Sequence, residues 1–396
     1  AMAVCAQAGL AELGFAPKQA AMPDYAAYSN YGYHLNAGKF ADFLRDHCVA
    51  ALGVDHQRWH IDQVQQDATG AITALKGAEG ERLEADLFID CTGMARVLIG
   101  RYDTTDVDLS GYLFNDRAVA AQVPYTQADQ AIATVTTSTA QHDGWVWDIG
   151  LTQRRGTGFV YSSRFTDDND AQARLTQYLK NTGVEDVASL TFRQLRFTPS
   201  YLSQPWQSNC IAVGMSAGFV EPLEASAIAM IEVCSKAISQ DLPTHKQMLP
   251  MVAKRFNQRF VRRWNSVVDF LKLHYVLSDR SEPYWAAHKA PDTVPESLQS
   301  LLALWQYQTP ANSDFEYSNE LFGPASYQYV LYGMQHIPHR ILNTSLPKRK
   351  DCIVPPAALA TMDETVRKGI RGLPKHRALM DALAAKYHQH SMSHTV

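Results

Sequence analysis

The sequence predicts a mixed α/β fold carrying a helical C-terminal layer. Three observations predict it. Two buried, strand-like segments, residues 85–91 and 211–213, each run into a turn of small residues. Between them, residues 110–165 read as β-rich, and the alternation at Trp145-Val146-Trp147 sends both indoles to one face. Beyond Met230 the chain turns helical: residues 245–275 carry Phe256, Phe260, Trp264, Val267, Val268 and Leu271 at helical spacing.

Taken in order, residues 1–30, with Pro17 and Pro23, read as irregular. Asn36 can cap a helix over 37–52, where Phe40, Phe43, Leu44 and Cys48 share a face and Gly53 ends the run. Trp59, Ile61 and Val64 suggest a strand, Asp67-Ala68-Thr69-Gly70 a hairpin turn, and Ile72 and Leu75 the returning strand. Residues 118–123, 131–137 and 159–163 read as strands, 167–182 as a polar-faced helix and 193–197 as a strand. Further helices are expected over 295–307, 327–335, 362–368 and 375–387. The chain thus divides into a core with a β-rich sheet over 1–230, a helical cover over 231–340 and tail helices over 341–396.

The balance of residues bounds the function. With 46% hydrophobic and 19% charged residues over 396 positions, the chain has enough apolar material for a sizeable core. The net charge of −4 and the lack of a long basic block argue against a nucleic-acid binder; Lys348-Arg349-Lys350 reads as a solvated loop. No apolar run is long enough to span a membrane. Six scattered cysteines without a Cys-x-x-Cys pair suit free thiols in a reducing cytoplasm, and no spacing marks a metal site. His388, His390 and His394 read as a tail.

The chemistry is placed at residues 211–230, Ile-Ala-Val-Gly-Met-Ser-Ala-Gly-Phe-Val-Glu-Pro-Leu-Glu-Ala-Ser-Ala-Ile-Ala-Met. A short strand meets a small-residue turn at 214–218, and a helix is expected from about Glu224. Small residues let a backbone approach a ligand, and a helix N-terminus offers unpaired N–H groups to an anion. Plain packing is the competing reading of this turn, and core burial that of the two tryptophans. The strand at 85–91, ending in Thr92-Gly93, adds one side of a dinucleotide-binding layout.

Several of these segments together resemble the flavin-dependent tryptophan halogenases. Tyr33-His34-Leu35-Asn36 and the helix after it resemble that family's Tyr/Trp-His-Phe-Asp segment. Residues 85–93 look like its second flavin strand, and Gly144-Trp145-Val146-Trp147-Asp148-Ile149 resembles its Trp-x-Trp-x-Ile-Pro. Residues 158–165 match as well. Phe219-Val-Glu-Pro-Leu-Glu224-Ala-Ser226-Ala-Ile228 is similar to its Glu-Pro-Leu-Glu-Ser-Thr-Gly-Ile, and Asp269-Phe270…His274-Tyr275…Arg280…Pro283-Tyr284-Trp285 follows its helical region. The likeness runs from about residue 31 to about residue 335.

The resemblance implies a Rossmann-like, FAD-binding fold of the monooxygenase and halogenase type. It implies FAD reduced by a separate flavin reductase, with no nicotinamide site in this chain. Chloride or bromide would be oxidised to hypohalous acid, which reaches a small, electron-rich aromatic substrate through an internal tunnel. Carried over residue by residue, Glu224 is the catalytic glutamate, and Ser226 with the N–H of Ala227 holds the halide. Ile61, Gly93, Gly214, Met215 and Ile228 fall at the cofactor. Trp145, Trp147, Phe219, Pro222, Leu321 and Phe322 fall at the pocket or tunnel. Glu224 also has a bland reading, an acid in the first turn of a helix favoured by the helix dipole. The oligomeric state stays open, with a homodimer among the readings.

The departures are specific. The chain carries no Gly-x-Gly-x-x-Gly fingerprint and no match to the segment bearing the family's essential lysine. It reads as beginning inside the flavin domain. The expectation is therefore an uncovered sheet edge and open apolar faces, weak FAD binding and no halogenation by the 396-residue chain alone. Gly150 stands where the family has proline, and Ala225 and Ala227 replace its serine and glycine. Leu321 and Phe322 replace a Phe-Trp pair that sandwiches the indole of tryptophan, so a substrate other than free tryptophan is expected, with bromide a candidate halide. A flavoprotein aromatic monooxygenase and an inactive halogenase-like protein are the alternatives.

Overall fold

The computed structural model describes residues 6–317, 320–336 and 356–393. The basic run 348–350 and His394 lie outside them. The first described element is helix α1, Ala6–Glu12, followed after an extended stretch by α2, Ala37–Leu52. Asn36 caps α2 by accepting the N–H of Lys39 at 3.4 Å, and Gly53 ends it at φ 66°. Strands β1 (Gln63–Gln66), β2 (Ile72–Lys76) and β3 (Arg82–Leu83) form an antiparallel sheet in the order β1-β2-β3. Asp67 closes its first turn by accepting N–H groups of Thr69 and Ala71. Trp59 and Ile61 precede β1 instead of lying on it, because the pairing with β2 begins at Gln63.

Next come β4 (Phe88–Asp90), β5 (Asp106–Asp108), β6 (Arg117–Pro124), β7 (Thr137–Gln141), β8 (Gly144–Gly150) and β9 (Arg154–Tyr161). Helix α3 (Asp168–Asn181) leads to β10 (Phe192–Arg196), β11 (Ser200–Leu202), β12 (Trp206–Gln207), β13 (Cys210–Ala212) and β14 (Gly218–Phe219). The largest sheet is antiparallel in the order β10-β6-β9-β8-β7. The strand expected at 131–137 starts only at Thr137: the two-residue turn at His142-Asp143 fixes which residues can reach β8.

This sheet is covered on both faces, and its alternation sorts the side chains. Val146, Phe159 and Tyr161 pack with Leu175 and Leu179 of α3. Trp145 and Val160 join the main core on the other side, with Trp147 packed against it. Asp167 caps α3 through the N–H groups of Asn169 and Asp170. Two smaller sheets run β14-β11-β5 and β12-β13-β4; in the second, β13 pairs parallel to β4.

The helical layer consists of α4 (Ser226–Asp241), α5 (Leu249–Val276), α6 (Pro283–Ala287), α7 (Glu296–Trp305) and α8 (Pro324–Gly333). The long helix expected from residue 245 starts at Leu249, behind a tight turn at Lys246–Met248, and has Pro250 in its first turn. From Val267 to Leu273 every residue of α5 is buried, so this stretch runs through the core.

Two further helices, α9 (Pro356–Gly372) and α10 (His376–Ser393), are longer than the sequence suggested. They return to the N-terminal segment, which is not irregular throughout. Tyr28 donates to the Thr365 carbonyl at 2.8 Å and Lys375 to that of Leu13 at 2.7 Å, while Arg377 reaches the Gln130 carbonyl, between β6 and β7, at 2.8 Å. Such sequence-distant pairings leave no local trace in the sequence.

Several apolar side chains are exposed. None of the residues of α2 is buried, and Phe43 and Leu52 are 62% and 65% exposed. Ile89 on the outer strand β4 is 48% exposed. Among the described residues no helix is long and apolar enough to cross a membrane, and no group of His, Cys, Asp or Glu is arranged for a metal.

Candidate active site

The site is built where two adjacent parallel strands end. Ligands of α/β sheets sit beyond the carboxyl ends of the strands, and here β4 and β13 end side by side. Each opens into a turn through a glycine in the left-handed region, Gly93 at φ 67° and Gly214 at φ 70°. Asp90, fully buried, ties the two ends. Its oxygens accept the N–H groups of Thr92, Leu98 and Ile99, and Ser216 Oγ lies 3.3 Å away. Burial alone would raise its pKa, but the bonds from Thr92, Ile99 and Leu98 hold it below the ordinary value.

The turn before α4 is strained. Glu224 and Ala225 both adopt left-handed backbone, at φ 62° and 52°. For side chains other than glycine this costs on the order of 1–3 kcal/mol each, so the surroundings must enforce it. Consequently α4 starts at Ser226, two residues later than expected, and Glu224 stands outside the helix instead of in its first turn. Its carboxylate meets His274 Nε2 of α5 at 3.1 Å. Ser226 is buried at the N-terminus of this 16-residue helix, with Ala227 beside it and no side-chain cap competing for the end N–H groups.

A small cavity of about 40 Å³ brings together Gly214, Met215, Phe219 and Ala227, with Ile231 and Trp264. Met215 and Ile228 are both exposed. Phe219 packs edge-on against Phe197, and Pro222 is exposed. Trp145 is buried, with its N–H donated to Glu221 at 2.8 Å. The Trp147 ring lies over Gly158, its partner across β8 and β9. Phe322 is stacked on Phe270 at 4.0 Å, with Leu321 half-buried beside it. Trp145, Trp147, Glu224, Leu321 and Phe322 do not line that cavity. Two larger hollows, of about 860 and about 640 Å³, lie between the β12 region and α5 and between α4 and α5.

Sequence reasoning named Glu221 within a motif but gave it no role. The structure makes it the hub of a buried network. Its Oε2 accepts from Asn115 Nδ2 at 2.6 Å, Trp145 Nε1 at 2.8 Å and Tyr275 Oη at 2.5 Å. Nearby, Lys272 is fully buried and donates to the Tyr112 carbonyl at 3.0 Å, with His288 Nδ1 at 2.9 Å. Burial drives the Lys272 pKa down to about 7 and the Glu221 pKa up. The attraction of Glu221 works the other way at Lys272, and the bonds from Tyr275, Trp145 and Asn115 work the other way at Glu221, so desolvation wins at each. The only sequence signal for this network was Asp269 and Lys272 within the apolar stretch 267–273 of α5.

The tryptophan halogenase family pattern matches residues 2–346. This chain belongs to the tryptophan halogenase family. It is similar to tryptophan 7-halogenase RebH of Lentzea aerocolonigenes, 31% identical over 80% of this chain and 61% of that protein. It is also similar to tryptophan 7-halogenase KtzQ of Kutzneria sp. (strain 744), 36% identical over 67% of this chain and 49% of that protein. The chain thus spans about half to three-fifths of the length of these relatives. Among solved structures, the tryptophan halogenase of Shewanella frigidimarina NCIMB 400 superposes with a TM-score of 0.86 at 43% identity, covering 97% of this chain and 72% of that one. BrvH, a flavin-dependent halogenase from Brevundimonas sp. BAL3, gives a TM-score of 0.81 at 29% identity, covering 96% and 75%. The mixed α/β fold of this chain is therefore shared with solved tryptophan and flavin-dependent halogenases.

Proposed function

We propose that the protein is a flavin-dependent halogenase that transfers a halogen from hypohalous acid to a small, electron-rich aromatic ring. The observation that carries this reading is the turn at 224–227: a carboxylate held outside the helix and a buried serine at the helix N-terminus, beside two parallel strand ends. The left-handed glycines at 93 and 214 leave room for one flank of a flat cofactor, since no atom lies within 4 Å of a Cβ built at Gly93. FAD would be held there by Gly93, Gly214, Met215 and Ile228, with Ile61 toward its adenosine half. Reduced flavin, delivered by a separate reductase, supplies with dioxygen the two-electron oxidation of the halide.

The chain's own residues do the rest. Ser226 and the N–H of Ala227 hold the halide, chloride or bromide, at the positive end of α4. Aromatic substitution exchanges ring hydrogen for halogen: the carbon–halogen bond forms as the oxygen–halogen bond of the hypohalous acid breaks, and the ring proton departs by way of a base to the released hydroxide, giving water. Glu224 accepts that proton, with His274 holding the carboxylate in place. Trp145 and Trp147 wall the side of the site away from solvent. Leu321 and Phe322 offer an aliphatic and an aromatic side chain in place of two aromatic rings, which favours indole or a larger phenolic or indolic scaffold over free tryptophan.

The test supplies the full-length protein with FAD, a flavin reductase, NADH, oxygen and bromide, with indole and tryptophan offered separately. Brominated indole that disappears without halide supports the reading. A hydroxylated product formed equally without halide would make the protein an aromatic monooxygenase, and faster turnover of tryptophan than of indole would refute the substrate preference.

A further inference from the structure

We propose that Glu221 is a positioning residue: it locks the strained turn at Glu224 and Ala225 against β8 and the last turn of α5, and so sets the aim of Glu224. This rests on the role of Glu224 given above.

The geometry is unusually concentrated. Three separate parts of the chain donate to one oxygen, Oε2 of Glu221: Asn115 from the segment before β6, Trp145 from β8 and Tyr275 from α5. Asn115 is itself fixed, its Oδ1 accepting from Tyr284 Oη at 2.9 Å. Glu221 is 2% exposed, and Leu223, also buried, is the second anchor on the same side of the turn. The strained pair follows at once, and α4 begins directly after it. Non-glycine residues hold left-handed backbone only where their neighbours over-determine it.

The two acids of the turn reach consecutive residues of α5. Glu224 meets His274 and Glu221 meets Tyr275. The first contact is half-exposed and free to adjust; the second is buried and carries two further bonds. Glu221 is therefore the fixed point about which Glu224 is set. Trp145, whose N–H is occupied by this bond, is held in the same act. That gives the first tryptophan of the Trp-x-Trp pair a task in the clamp besides walling the site.

The experiment compares Glu221→Gln, which keeps an acceptor oxygen, with Glu221→Leu, which removes it. Hydrogen exchange of the 221–228 segment, read by mass spectrometry on the whole chain, should rise about tenfold or more in the leucine variant and little in the glutamine variant. In turnover with bromide and indole, the leucine variant should lose roughly 30-fold in kcat with KM nearly unchanged, and the glutamine variant should recover most of it. Placed on Glu224→Gln, the leucine change should cost nothing further, because the two act as one unit. Losses that multiply, or unchanged exchange in the leucine variant, would overturn the proposal. If Glu221→Leu does not fold, Tyr275→Phe and Trp145→Phe each remove one bond of the clamp and should give smaller losses of the same pattern. Wild-type protein that forms no halide-dependent product would refute the functional reading, and the exchange comparison would then decide the clamp by itself.

Discussion

His274 Nε2 lies 3.1 Å from the Glu224 carboxylate while its Nδ1 lies 2.9 Å from the Phe270 carbonyl. His274 thus bridges the candidate catalytic carboxylate and the backbone of its own helix. Glu224 keeps 39% of its side chain exposed, and the pair is screened accordingly.

His274→Ala should accordingly cost less than about 1 kcal/mol of stability, the usual worth of a part-exposed ion pair. Turnover should fall far more, on the order of tenfold, because Glu224 loses its orienting partner. Denaturant unfolding beside steady-state kinetics separates the two. A large loss of stability with unchanged kcat would mean that the pair is structural.

The contact between Trp147 and Gly158 predicts a steric effect. A Cβ built at Gly158 would fall 2.2 Å from the Trp147 ring. Gly158→Ala should therefore displace the indole and cost roughly 1–3 kcal/mol, as overpacked cores do. Thermal unfolding and a shift in tryptophan emission check it; an unchanged melting temperature would show that the ring moves aside freely.

Asp269 makes stability depend on pH. Burial between α5 and α7 raises its pKa from 3.8 to about 7, against the opposing 2.8 Å bond from Ser297. A raised carboxyl favours the folded state fully below the unfolded value, and this is lost as pH rises toward the folded one. Stability should thus fall by about 1.4 kcal/mol per pH unit between roughly pH 4 and 7, about 4 kcal/mol in all at most. Asp269→Asn should flatten that slope in urea unfolding. An identical slope in the variant would assign the effect elsewhere.

The open face of α2 gives a fourth test. Phe43 is 62% exposed, so Phe43→Ser should change stability by no more than about 0.5 kcal/mol. A loss above about 2 kcal/mol would show that this face is covered in the protein in solution.

The α/β class, the capped helix at 37–52, the alternation through β8 and the long amphipathic helix were legible because each rests on local spacing or on a residue whose shape forces one conformation. Asn36 and Gly53 mark their helix ends by chemistry that needs no distant partner. The site was half legible. Motif order placed Glu224, Ser226, Gly93 and Gly214 together, but a helix was expected to begin at Glu224, because an acid ahead of a small-residue run reads as a first helical turn.

Only the tertiary structure moved that start to Ser226, since the left-handed backbone at Glu224 and Ala225 is enforced from outside the segment. It alone showed α1 and α9 side by side, His274 opposite Glu224, and one oxygen of Glu221 gathering donors from residues 115, 145 and 275. The sequence by itself determined the α/β class, most of the strands and helices, and the motif in which the candidate site lies. The aim of that site's residues depends on contacts between residues far apart in the chain, which local spacing cannot encode.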